Sequence, residues 1–233
     1  MSIPYSQPLA SSPPASSDAE LEEALQTLDN SRGLAESAEE GLPEHIIRIL
    51  PHAQAMAQGK VDRLNELLEQ HAPELKQMLV EIQRPSLSRR ARVEKLRALA
   101  HRLSEILTPL TACAAQQCSH CCHIPVALTE TEAAIIGEAV GKKPRKVSAK
   151  RPLSQEYGYH RPCPFLKNNR CSIYKDRPFA CRTHLSLDVS DRLCALLQGV
   201  TVPVPLVDMS QYQMLYVQAT APEKLADIRD FFG

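Results

Sequence analysis

Eight cysteines, Cys113, Cys118, Cys121, Cys122, Cys163, Cys171, Cys181 and Cys194, fall within 82 consecutive residues of a 233-residue chain. The N-terminus has no basic segment and no apolar run of the kind that directs secretion, so the expected compartment is cytoplasmic and reducing. Disulfides rarely persist there, and clustered thiols in such a chain read as metal ligands or redox groups. A disulfide scaffold would also spread its cysteines along a much shorter chain.

The rest of the composition narrows the fold. Glycine is scarce at 8 residues and proline abundant at 18, with few β-branched runs, which argues against an all-β sandwich. Hydrophobic residues make up 43% but aromatics only 4%, so the core must be mostly Leu, Ile, Val and Ala. No stretch approaches the ~20 apolar residues that a membrane-spanning helix needs. Lys+Arg 27 balance Asp+Glu 27, which excludes a strongly basic nucleic-acid binder. The balance hides an asymmetry: residues 1–60 carry 9 acidic and 3 basic side chains, and residues 142–182 carry 2 acidic and 12 basic ones.

The expected architecture is mostly α. An N-terminal helical unit precedes a small α+β cysteine-rich metal-binding domain with a short β-hairpin. Residues 1–17, rich in Ser and Pro, read as a disordered tail. Residues 18–110 read as the helical region, with a short acidic helix through Leu21, Leu25 and Leu28 and a linker at 30–42. Pro51 should bend or break a helix starting at Pro43. Leu96, Leu99, Leu103, Ile106 and Leu110 recur at three and four residues, the spacing of an amphipathic helix. Residues 111–199 form the cysteine domain. Thr129 and Glu132 have capping-box spacing, and Gly141 should end the helix they open. Lys142 to Arg151, six basic residues in ten, reads as a solvated loop. Lys167-Asn-Asn-Arg170 predicts a tight hairpin turn with a cysteine entering each strand. Asp176-Arg-Pro178 predicts a helix start just before Cys181, and Ser190 a cap for a helix ending at Gly199. Residues 200–233 should form an extended, proline-interrupted segment and two helices near 209–219 and 222–231.

Cys118, Cys121 and Cys122 stand at i, i+3 and i+4, so on a helix their thiols share one face. Free cysteine also packs as a small hydrophobe. Three converging thiols, however, are electrostatically costly unless a cation is shared. Cys113 fits the packing reading better, because it faces away on a continuing helix. Cys163, Cys171 and Cys181 supply a second half-site, the first two across the hairpin and the third at a helix start, whose amides and dipole favour a thiolate. Arg177 and Arg182 flank Cys181 and would compensate the accumulated negative charge. His184 is a weaker ligand candidate, and His120 and His123 weaker still, since they leave the face of the triplet.

The run Cys118-x2-Cys121-Cys122, Cys163-Pro-Phe-Leu, Cys171-Ser-Ile-Tyr, Arg177-Pro178 and Cys181-Arg182 resembles the bacterial YkgJ-type cysteine-cluster family, whose domain chelates zinc or iron. The resemblance covers residues 113–195 and implies a bound metal or iron–sulfur centre. The fuller family pattern, Cys-x2-Cys-x2-Cys-Cys, would place its first cysteine at Ala115, and Cys113 is the substitute if the backbone there is irregular.

The expected metal ligands are Cys118, Cys121, Cys122, Cys163, Cys171 and Cys181. Six thiols exceed the four that one zinc uses. They suit two zincs with bridging thiolates or an iron–sulfur cluster, and all-thiolate ligation argues against magnesium or calcium. Three functions fit: a module that stores, senses or delivers metal; a redox or metal-dependent enzyme; and a zinc-stabilised adaptor for a protein or nucleic-acid partner. The basic run has no interleaved aromatics for base stacking, so nothing favours nucleic acid. No phosphate loop, nucleophile elbow or zinc-protease motif is present in the sequence.

Overall fold

A computed structural model describes residues 41–115, 118–147 and 158–233. The expected tail, the acidic helix and nearly all of the linker lie outside the described residues. So do residues 148–157, which include the end of the basic segment.

Four helices build the N-terminal unit: α1 (Glu44–Gly59), α2 (Val61–Gln70), α3 (Ala72–Ile82) and α4 (Arg89–Leu107). Pro73 sits in the first turn of α3, where its missing N–H costs nothing. Pro51, expected to bend or break α1, does not break it and lies inside it. It removes the bond to the carbonyl of Ile47, but Pro51 and Ile47 are both exposed, so the break falls on the solvent side of the helix. Ser88 caps α4 by accepting the N–H of Ala91 at 3.2 Å. The apolar stripe of α4 is buried at Leu96, Leu99, Leu103 and Ile106, as its spacing predicts.

The cysteine region folds onto this unit. A short helix, α5 (Ala112–Ala115), is followed by a 3-10 turn at His120–His123. Strand β1 (Ala127–Leu128) then leads into α6 (Glu130–Val140). Thr129 caps α6 through the N–H of Glu132 at 3.3 Å, and Gly141 closes it at φ +66°. The hairpin pairs β2 (Leu166–Lys167) with β3 (Arg170–Cys171), and Asn168 and Asn169 both adopt positive φ in its turn. Helix α7 (Phe179–Thr183) carries Cys181. Helix α8 (Ser210–Thr220), strand β4 (Ala226–Asp227) and α9 (Ile228–Phe232) complete the order. Among the described residues no helix is long and apolar enough to cross a membrane.

Two expected elements differ. The helix expected after Ser190 is only a 3-10 turn at Arg192–Cys194. Beyond it Val200, Val202 and Val204 pack, with Leu193 and Leu197, against Leu42, Ile46, Leu50 and Ala53. That alternating set is served by an extended chain, which joins its neighbours by isolated bridges at Ser186–Leu206 and Leu197–Val200. The helix expected over 222–231 shrinks to α9, because Ala226 and Asp227 pair with β1 instead.

One apolar core runs across the cysteine region and the helical unit. Leu96, Leu99 and Leu103 of α4 pack with Phe179 of α7, Leu185, Val207 and Tyr216 of α8. A second cluster, around Leu128, Ile136, Phe165, Ile173, Phe231 and Phe232, sits behind the hairpin. Lys60, between α1 and α2, ties the two halves further. Its ammonium donates to the carbonyls of Leu110 at 2.9 Å, Leu187 and Asp188. Lys60→Ala should cost about 1–3 kcal/mol, since the carbonyls it bridges are left to partial hydration; urea denaturation measures this.

The start of the basic segment is the exposed loop expected, with Lys142, Lys143, Arg145 and Lys146 all exposed, but it is anchored to α9. Lys142 donates to the carbonyl of Phe232 and lies over the rings of Phe165 and Phe232. The N–H of Arg145 donates to the carbonyl of Phe231 at 2.9 Å.

Candidate metal centre

Seven of the eight cysteines line one cavity of about 580 Å³: Cys113, Cys118, Cys121, Cys122, Cys171, Cys181 and Cys194. The structure therefore brings five of the six expected ligands to one surface. Cys163 is buried behind the wall, in the apolar cluster with Phe165 and Ile173. Cys171 and Cys181 nevertheless pack against that same cluster, and Cys163 feels the charge of Cys171 and acts on Cys181.

Local structure explains the convergence. Residues 120–123 form a 3-10 turn rather than the expected α-helical face, closed by Cys122 N–H to the carbonyl of Ser119 at 2.9 Å. The tighter turn still leaves Cys121 and Cys122 in side-chain contact. The N–H of Cys163 donates to the carbonyl of Cys122 at 2.7 Å, which staples the hairpin to this turn. Arg229 of α9 braces the same turn. Its guanidinium donates to the carbonyls of Cys122 at 3.1 Å, Ile124 at 3.2 Å and Arg161 at 2.8 Å, and pairs with Asp227 at 2.9 Å.

Cys113 departs from its expectation. Cys118 lies outside the helix that carries Cys113, and Cys113 lines the cavity. Cys194 also faces it. His120 and His184 line the same space, while His123 is buried with an unpartnered Nδ1. Asp191, which sequence reasoning did not single out, sits with Cys118 and His120, their donor atoms all within 4.8 Å of one another. No short motif announces it, because the contact comes from the loop before Cys194.

The electrostatics divide the thiols into two groups. Around Cys121, contact with Cys122 and enclosure by protein push its thiol well above the ordinary range, although the cavity mouth leaves it accessible to solvent. Burial does the same to Cys181 and, more mildly, to Cys171; Cys163 is pushed up to about 11. Cys118 and Cys194 share a proton: the bond from Cys194 lowers Cys118 to about 7, and Cys194 rises correspondingly. Burial raises Cys113.

Arg177 compensates these thiols. Its charge lowers the pKa of Cys113, Cys121, Cys171 and Cys181, and its Nε is buried with no hydrogen-bond partner among the described residues. Arg182 works on the backbone. It is 5% exposed and donates to the carbonyls of Arg177, at 3.1 Å, and Lys175, holding the turn into α7. Opposite the thiols the wall is apolar, with Ile124, Leu193, Leu197, Val202 and Leu206.

Thiols at this density, beside a guanidinium that donates to Ser104 at 2.9 Å and keeps its Nε unpartnered among the described residues, form a candidate metal site. Residues 112–195 match the model of the CxxCxxCC family, described as "Putative zinc- or iron-chelating domain". No curated protein and no solved structure matches the chain.

Proposed function

We propose that the protein is a thiolate metal-binding protein whose inner cavity takes an iron–sulfur cluster, with Cys121, Cys122, Cys171 and Cys181 as ligands and Cys163 and Cys118 beside them. The observation that carries this reading is the gathering of seven thiols on one cavity from five separate chain segments. Their donor chemistry suits soft, thiophilic centres. The thiols exceed what a single tetrahedral zinc uses, and a volume of about 580 Å³ has room for a polynuclear group. The unpartnered Nε of Arg177 is placed to meet the negative charge that such a centre concentrates. When bound, the cluster supplies electron-transfer chemistry; the chain binds it, screens it from water on the apolar side and balances its charge.

The test is iron, sulfide and zinc analysis of anaerobically purified protein, with its absorbance spectrum. Iron and sulfide in matching amounts, with a band near ~400 nm, support the cluster. Colourless protein with stoichiometric zinc would replace it with a thiolate–zinc site, a reading that the mixed donors Cys118, His120 and Asp191 favour at the cavity rim.

Two further outcomes are expected. The metal-free thiols of Cys121, Cys171 and Cys181 hold their protons at neutral pH, because their pKa values are raised. Binding releases those protons, so affinity rises with pH, and a competing chelator should strip metal faster at pH about 6 than at about 8. Arg177→Ala should weaken retention by roughly 10–100-fold, measured by chelator competition, while Arg145→Ala leaves it unchanged.

A further inference from the structure

The rim of the cavity carries a second donor set of different chemistry. His120 presents Nε2 to Oδ2 of Asp191 at 3.7 Å. That separation is too long for a hydrogen bond. It is, however, the separation of two ligands around one tetrahedral ion, about 3.3–3.8 Å for bonds of about 2.0–2.3 Å. The thiol of Cys118 is in contact with Asp191, and the three donor atoms lie within 4.8 Å of one another.

The other nitrogen of His120 is already engaged. Nδ1 meets the hydroxyl of Tyr159 at 2.6 Å, and the hydroxyl oxygen accepts the N–H of Leu196 at 3.2 Å. A ring edge-on to His123, at 4.8 Å, steadies the phenol. When Nδ1–H donates to that oxygen, the Nε2 lone pair is directed toward Asp191 and Cys118. This is the arrangement in which a histidine ligates through one nitrogen and is oriented through the other.

We infer that Cys118, His120 and Asp191 form a separate site for a single divalent ion of the zinc class, with Tyr159 as its positioning residue. The inference rests on the reading of the cavity as a chelating site. It assigns Cys118 to the rim and leaves the inner thiols to the cluster. Three protein donors of S, N and O type leave one coordination position open, as in zinc sites that bind water or substrate. Cys118 and His120 both line the cavity that holds the inner thiols. Both His120 and Asp191 are partly exposed, with side chains 25% and 33% accessible, which lets an ion enter from solvent and lets either be replaced without disturbing the core.

Cobalt(II) serves as the probe, titrated anaerobically into the full chain already loaded with its thiolate centre, with the visible spectrum and metal content followed together. The wild-type protein should take up one further equivalent with the ligand-field bands of a four-coordinate ion. His120→Ala and Asp191→Asn should each lose that equivalent while keeping the thiolate-centre absorbance. Tyr159→Phe should weaken it by roughly 10–100-fold, with the same residual spectrum. Retention of the extra equivalent by both donor variants overturns the inference and leaves the thiolate centre standing. Loss of the thiolate-centre absorbance in the same variants overturns the separation of the two sites. A wild-type chain with no thiolate-bound metal refutes the inner centre instead, and the cobalt titration still decides the rim.

Discussion

Cys181→Ser should abolish retention of the inner metal centre and unfold the cysteine region around it. Cys181 lines the cavity with Cys121 and Cys171, and the charges of Cys121, Cys163 and Cys171 all act on its thiol. A site absent from the unfolded chain contributes its binding energy to folding, on the order of 10 kcal/mol for structural zinc. Hydrogen exchange should show lost protection at residues 118–123 and 163–183, with α1 to α3 still protected. Unchanged protease resistance of the cysteine region after verified metal removal would reject the metal's part in folding.

Glu132→Ala should be the most damaging substitution away from the cavity. The carboxylate is fully buried and accepts the N–H of Phe179 at 2.7 Å and the hydroxyl of Tyr216 at 2.7 Å. Arg97 of α4 lies 3.3 Å from it. Burial pushes its pKa up, while Arg97 and the two hydrogen bonds hold it back. Alanine leaves Arg97 without its counter-charge and Phe179 and Tyr216 without an acceptor. Breaking such a buried pair costs about 3–5 kcal/mol. For a chain of this size that is a Tm lowered by roughly 10 °C. Glu132→Gln keeps the shape and one acceptor oxygen and should lose less. Because Phe179 opens the helix that carries Cys181, the alanine variant should also release metal more readily. A Tm within about 2 °C of wild type would refute this role for the carboxylate.

The same glutamate shows how far the sequence can be read. Its spacing from Thr129 suggests a capping box, and half of that box forms. The other half does not, because the N–H of Thr129 donates to Tyr216, 87 positions away, and Glu132 turns into the core. Local signals hold wherever the physics is local. Two adjacent asparagines make the hairpin turn, Gly141 ends its helix, and the α4 stripe is buried in register. The thiols of the 118–122 and 163–181 segments are legible because each half-site is set by a short turn. What the sequence hides is long-range. Asp191 reaches His120 from the far side of the cysteine region, Tyr159 reaches it from beyond α6, and Lys60 bridges carbonyls more than 100 positions away. No spacing rule reports such pairs, since side-chain geometry becomes regular only within one element.

Arg229 has a consequence for how the protein is made. It braces the Cys121–Cys122 turn from 107 positions downstream of Cys122, and Asp227 beside it accepts the N–H of Val126 at 2.8 Å. A nascent chain thus presents the thiols of that turn well before the residue that braces it has been synthesised. During that interval the cysteines are a loose, oxidisable string.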